Sequence, residues 1–600
     1  MKTIFKTFAF WFLLVQTGLF AQEFIYELDL TKNDDVFHVS LIPPRLTEKD
    51  NVYSFVSFAP GVHQVLDFGR FVRAFKVYDE KGGELLTQKI STNDWRILEP
   101  SKVRRIDYEI DDSFDMDIKD HPIYPMSGTG INENYTIINP HGVFGYFFNL
   151  KSVPVKLRIK YDPSDKLGTA LEKDNAGFYR AASYYQLADS PILLGDMTVS
   201  SLKIGDIDVE AYVYSPNPII NADTVMALSR QVLESAYAFV GFAPVKRYAF
   251  LMYFSATEDA EKMPVLNYGG ALEHSYSSTY ALPAMPRFLP QLKDIIAHEF
   301  MHILTPLNLR SEVIANFDYS RPTSEDQHLW LYEGLTEWVA HIMQLRSGDI
   351  TMEEYLDRMS NKINNAEGYS SDYSLTRLSA EWSTDAGNKQ YGNIYQLGAL
   401  TANALDIKLL QLSGGKRGLQ DVYLQLIKKY GKDKPFDNKT FFNEIIAMTY
   451  PEIGEFIEKH IKGAEPLEYK SDFAALGINY IPKRAPARPG TVYGINIGVK
   501  EGELVITGFS GEYRDIGLKE GDVLEKLFDE KVTLANARSF FSRKDSMKAG
   551  DSYPITVRRA GKSMNITGKL FPKMDYHVFE VDDKASKKAK ALREIWSKNR

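Results

Sequence analysis

Residues 294–304 read DIIAHEFMHIL, and residues 329–338 read LWLYEGLTEW. In the first stretch His298 and His302 stand four apart, with Glu299 directly after the first histidine. On a helix, residues four apart share a face, so both imidazoles can reach one ion. Glu299 projects about 100° further round, close enough to work on a water beside that ion without being a ligand. The surrounding Ile, Phe, Met and Leu place the helix in a core. Two histidines satisfied by hydrogen bonds inside a core would look the same at this level, so the third ligand decides.

A catalytic zinc normally takes three protein ligands and leaves a fourth position open. The extended pattern with a third histidine would need glycine at 305 and histidine at 308; Thr305 and Asn308 stand there instead. A downstream carboxylate is the remaining option, from Glu312, Glu325 or Glu333. Glu312 follows Pro306 in an irregular segment, and Glu325 sits in the polar RPTSEDQ. Glu333 is flanked by apolar residues of a helix, where a carboxylate is costly unless paired or metal-bound. Glu333 is therefore the expected ligand.

The whole chain agrees with an enzyme of this kind. Six hundred residues exceed what one core serves, so two to four domains are expected. A net charge of −8 argues against nucleic acid as partner, since a phosphate binder needs a basic surface. Cysteine is absent, which removes disulfides and thiolate chemistry and leaves zinc only nitrogen and oxygen ligands. Lys2 and Lys6 precede the short apolar run FAFWFLLVQTGLFA. Residues 1–21 thus read as a signal peptide cleaved after Ala21, and the protein as exported, either periplasmic or secreted. No later stretch has the ~20 apolar residues of a membrane span.

Residues 22–200 carry short runs of β-branched and aromatic residues bounded by turn formers, such as EFIYELDL and NVYSFVSFAPG. They predict a β-sandwich. Helical periodicity starts near 222 and dominates a domain at 201–470. YIPKRAPARPG, 480–490, reads as a linker or domain entry. Residues 485–575 read as a small β unit, and 582–600 as a charged tail, helical in solvent or without fixed structure.

HEFMH followed some thirty residues on by LWLYEGLTEW resembles the glycyl aminopeptidase family of zinc metallopeptidases. The resemblance implies an α+β multidomain protein: an N-terminal β domain, a thermolysin-like, mainly α catalytic domain and a C-terminal PDZ-like β domain. His298, His302 and Glu333 then fall on the ligands of one Zn2+, and Glu299 on the general base. GALEH, 270–274, resembles the family's Gly-rich Leu-Glu-His motif. By that likeness Gly270 and Ala271 lend strand backbone to a peptide, and Glu273 holds its α-amino group. YQLG, 395–398, resembles the motif whose tyrosine stabilises the oxyanion, which gives Tyr395 that role. The chain departs from the family after His302, where only Asn308 and Arg310 are familiar, and at Leu397, where lysine is common.

The expected activity is removal of N-terminal residues from peptides, with a family leaning to Gly or Ala. An extended peptide or a protein C-terminus would bind the PDZ-like unit by strand addition. Two alternatives stand beside it: an endopeptidase of the same fold, with Glu273 merely lining the cleft, and a non-catalytic protein that binds peptides through the PDZ-like unit.

Overall fold

The computed structural model describes residues 23–599, apart from 33, 117, 119, 257, 260–262, 268, 501, 510–512 and 514–515. The signal peptide expected at 1–21 lies outside the described residues.

The N-terminal region is rich in sheet. Strands Phe24–Asp29 and Phe37–Ile42 sit at the middle of an eight-stranded sheet, where Phe24–Asp29 runs parallel to Val155–Lys160. Alternation explains their burial: Phe24, Tyr26 and Leu28 point into the core while Ile25, Glu27 and Asp29 do not. A four-stranded sheet around Val52–Ser54 and Asp94–Ile97 faces it. Between them Phe55 meets Tyr53, Trp95 and Tyr108 edge to face. The expected two-sheet sandwich is incomplete, because a further four-stranded sheet, built around Tyr135–Ile138 and Ile192–Gly195, forms here. Its apolar face has another partner. Tyr135, Ile137 and Leu193 pack on Ala249, Leu251 and Tyr253 of the next domain.

That next domain opens with a five-stranded sheet: β1 Thr198–Ile204, β2 Ile207–Tyr214, β3 Arg247–Ser255, β4 Gly270–His274 and β5 Ser277–Pro283. The boundary expected at 200 therefore falls inside β1, which pairs with β2. The order is β1-β2-β3-β5-β4, so β4 is an edge strand, held antiparallel to β5. Helix α1, Ala222–Val240, is capped by Asn221 and ended by left-handed Gly241. Helices α2 Leu289–Met301, α3 Leu335–Ser347, α4 Met352–Ala366 and α5 Asn393–Leu412 follow. They share one large core with the sheet.

Two expectations at the C-terminal end are corrected. The stretch read as a linker or domain entry is not a free linker, because it begins as a strand: β6, Ile478–Arg484, pairs antiparallel with β7, Asp575–Val581. The charged tail is helical, with its lysines exposed, but it is not wholly solvated. Its helix α6, Lys587–Trp596, buries Ala589, Leu592 and Trp596 against the helical domain. Trp596 is fully buried, and its carbonyl accepts from Arg346 Nε at 3.0 Å. Three apolar residues at helical spacing outweigh a high lysine content, because only one face has to be apolar. Between β6 and β7, a six-stranded sheet and the short helix Ala537–Ser542 enclose a separate core around Ile506, Leu524, Ile555 and Val557.

The N-terminal domain docks on the helical domain beside β4. Leu272, Phe317 and Tyr319 complete its core, and the Tyr319 carbonyl accepts from the amides of Ser57 and Phe58. Buried Lys151 donates to the Phe317 carbonyl at 3.0 Å and lies over the rings of Tyr146, Phe148, Tyr185 and Tyr319. This contact brings the loop at 59–65 to the mouth of the site. Among the described residues no helix is long and apolar enough to cross a membrane.

Candidate active site

Helix α2 carries His298 and Glu299 in its last turn, and His302 caps it. Leu292, Ile296, Phe300 and Met301 anchor the opposite side in the core, which turns the two histidines toward a cavity of about 940 Å³. Glu333 comes from Trp330–Gly334, one widened turn just before α3. Its Oε2 lies 3.3 Å from His298 Nε2 and 3.7 Å from His302 Nε2. One ligand atom from each of these three residues lies within 4.8 Å of the others. The other two carboxylates considered are elsewhere: Glu312 accepts from the Asn438 amide at 2.7 Å, and Glu325 is exposed.

The approach of α3 to α5 brings Glu333 and Tyr395 together, and it depends on two glycines. A Cβ on Gly334 would lie 2.6 Å from the Cα of Gly398. The final glycine of YQLG is thus a site of backbone contact between helices.

The surroundings fit a divalent cation. His302 Nδ1 donates to the Thr305 carbonyl at 2.7 Å, which leaves its Nε2 lone pair facing the cluster. Burial pushes His302 down to about 4, so it is neutral, as a ligand must be. His298 Nδ1 lies 2.8 Å from Glu337 Oε2, and Glu337 Oε1 accepts from buried Lys362 Nζ at 2.6 Å. Burial opposes charge on Glu337, but Lys362, His341 and His298 outweigh it and hold the group well below the usual carboxylate range. Glu333 is likewise held at about 2, where the two imidazoles outweigh burial. Two ionised carboxylates around His298 overcome its burial and favour positive charge there. A metal cation on the Nε2 side meets the same demand. The donor set of two nitrogens and one oxygen suits zinc chemistry.

Glu299 is not a member of that trio. Burial pushes its carboxyl up to about 8, against the opposing pull of His298. Its buried Oε2 has no hydrogen-bond partner among the described residues. Glu273, on edge strand β4, places an oxygen in a second cluster with Glu299 and His302, again within 4.8 Å. Burial and then the charges of Glu333 and Glu299 push Glu273 well above its ordinary range. Gly61 of the N-terminal domain closes over this carboxylate: its φ is +73°, and a Cβ there would lie 2.6 Å from Glu273 Oε1.

Ala271 and Tyr395 also line the cavity, and the Tyr395 ring lies 5.7 Å from that of His298. Gly270 does not line it. A Cβ there would meet Met126 of the N-terminal domain at 3.0 Å, so Gly270 serves the packing of β4. Sequence reasoning missed Glu337, although it follows Glu333 by one helical turn on the same face. It also missed Tyr391, four residues before Tyr395, and Lys362, His63 and Trp382, which come from distant segments and carry no local signal.

Helix, widened turn and edge strand thus frame a cavity that holds the trio of His298, His302 and Glu333 together with Glu299 and Glu273. Two family models match parts of the chain and support a peptidase: that of the Peptidase M61 N-terminal domain matches residues 25–196, and that of M61 glycyl aminopeptidase matches residues 291–401. Over those two stretches the chain is similar to the glycyl aminopeptidase family. Among solved structures, the crystal structure of an aminopeptidase N family protein from Idiomarina loihiensis superposes with a TM-score of 0.78 at 19% identity. The match covers 96% of this chain and 99% of that one, and so the fold is shared throughout. Native yeast LTA4 hydrolase matches at a TM-score of 0.45 and 14% identity, over 76% of this chain and 70% of that one. None of the curated proteins matches the chain.

Proposed function

We propose that this protein is an exported, zinc-dependent aminopeptidase that removes N-terminal residues, with a leaning to Gly or Ala, from peptides. The observation that carries this reading is the position of Glu273, whose carboxylate shares a 4.8 Å cluster with Glu299 and His302. A free peptide N-terminus paired with Glu273 would lay its first peptide bond over the His298, His302 and Glu333 trio. Edge strand β4 offers unpaired backbone to the same peptide.

Zinc held by those three residues would supply Lewis acidity toward the attacking water and the scissile carbonyl. Glu299, with a free buried oxygen, takes the proton from that water and returns it to the leaving amine. Tyr395 donates to the carbonyl oxygen as it becomes negative. The charged N-terminal flank and apolar run before Ala21 support export, to the periplasm or beyond the cell. The sheet unit between β6 and β7 is proposed as a PDZ-like domain that takes extended peptides or protein C-termini, supported by its separate core.

A second reading has one observation in its favour. A smaller cavity, about 230 Å³, continues past Glu273 and His302 toward Arg310 and Lys432. A chain running through it would be cut internally. Matched free and N-acetylated peptides separate the two. If Glu273 pairs with an ammonium at about 1.5–3 kcal/mol, Glu273→Gln loses roughly one to two decades of kcat/KM on free peptides and little on acetylated ones. An unchanged ratio between the two substrates would transfer the case to the endopeptidase.

A further inference from the structure

His63 and Tyr391 line the same cavity as Tyr395 and Glu333, yet the chemistry above uses neither. His63 belongs to the N-terminal domain, on the loop that also carries Gly61. Its Nδ1 lies 2.8 Å from the Tyr391 hydroxyl, and that hydroxyl lies 3.0 Å from the hydroxyl of Tyr395. The imidazole is fixed between two rings, edge-on to Trp382 at 4.9 Å and tilted over Tyr391 at 4.6 Å. Tyr391 is fixed as well. It lies four residues before Tyr395, in the turn that leads into α5, where a Cβ on Gly392 would strike the Tyr369 hydroxyl at 2.3 Å.

A hydroxyl has one hydrogen to donate, so the direction of this chain decides whether Tyr395 can help an oxyanion. If His63 accepts from Tyr391, Tyr391 must accept from Tyr395, and the Tyr395 proton points away from substrate. If His63 Nδ1–H donates to Tyr391, then Tyr391 donates to Tyr395, and the Tyr395 proton is left for the substrate carbonyl. A chain in that direction also polarises its last donor. We propose that His63 and Tyr391 are positioning residues that turn the Tyr395 hydroxyl proton toward the reacting carbonyl. One end of the oxyanion-stabilising chain is thereby supplied by the N-terminal domain. No proton is passed along; each hydrogen stays on its own atom. The inference rests on the oxyanion role given to Tyr395 in the proposed function.

The test uses the full-length, zinc-loaded protein and a free peptide substrate, with Tyr395→Phe, Tyr391→Phe and the double variant. Tyr395→Phe should lower kcat by about a hundredfold or more, the scale of a lost oxyanion donor. Tyr391→Phe should lower kcat by about tenfold, the scale of one hydrogen bond, with KM little changed. The double variant should be no slower than Tyr395→Phe alone, because Tyr391 acts only through Tyr395. His63→Asn keeps an N–H near the Nδ1 position and should retain most of the rate, whereas His63→Leu should match Tyr391→Phe. In the metal-free protein, nitrogen NMR of labelled histidine, assigned by loss of the His63 signal in His63→Asn, should show the Nδ1–H tautomer. Additive losses in the double variant, a His63→Leu enzyme as fast as wild type, or an Nε2–H tautomer would overturn the chain while leaving the Tyr395 role standing. An unimpaired Tyr395→Phe enzyme would overturn both.

Discussion

The helical wall of the cavity and the wall lent by the N-terminal domain hold their side chains by different means. On the helical wall both imidazoles of the trio have a buried partner: Thr305 for His302, and Glu337 backed by Lys362 for His298. All of these come from one core, so the trio is set when that core packs. On the other wall, Gly61 and His63 sit on a loop whose place depends on how two domains dock. They contact Glu273 and Tyr391, the side chains assigned to substrate and to the orientation of Tyr395. Metal retention and substrate handling should therefore respond to different substitutions.

The largest separation is expected within the helical wall itself. Glu299→Gln keeps shape and hydrogen bonding but cannot accept the water's proton, so turnover should fall by about two to four decades. Metal analysis of the same protein should give a zinc content near that of wild type. Appreciable turnover in metal-replete Glu299→Gln would remove Glu299 from the base role. Glu333→Ala should leave the zinc site empty and abolish turnover, whereas Glu325→Ala, a change at an exposed position, should leave both intact. The opposite pattern would mean that the trio is misassigned.

Glu337→Gln tests the outer layer of the same wall. Loss of the carboxylate behind His298 should weaken zinc binding by about 10–100-fold, measured by competition with a chelator. The preference for free over acetylated peptides should stay as it was; a change in that ratio would break the separation of the walls.

The smallest effect, and the sharpest test of that separation, is expected at Gly61. Gly61→Ala places a Cβ against the Glu273 carboxylate and puts a side chain on left-handed backbone, at a cost of about 1–2 kcal/mol in stability. Free peptides should lose up to about tenfold in kcat/KM, the equivalent of ~1.4 kcal/mol, and zinc affinity should not move. Loss of zinc in Gly61→Ala would show that docking of the N-terminal domain also shapes the metal trio.

Much of the trio could be read without coordinates. His298, Glu299 and His302 occupy one helical turn, where spacing alone puts two imidazoles on one face. Glu333 could be chosen by the cost of burying a carboxylate, and Glu337 was readable by the same i, i+4 rule. The tail was misjudged because composition was weighed there instead of periodicity: Ala589, Leu592 and Trp596 form one apolar stripe among lysines. The extra N-terminal sheet was missed because alternation predicts strands but not which sheet they join.

By itself the sequence determined the local geometry of this protein: the histidine pair and its glutamate on one turn, the buried carboxylate a helix later, and the glutamate of the extended GALEH. Only the tertiary structure decided which distant groups meet them. His63 reaches Tyr391 across 328 positions of chain, and Lys362 reaches Glu337 from another helix. The close approach of Gly334 to Gly398 puts Tyr395 over the site. The reason is physical: within a helix the backbone repeat alone sets which side chains are neighbours. Between elements, neighbours are chosen by how whole apolar faces pack, and no short stretch of sequence contains that information.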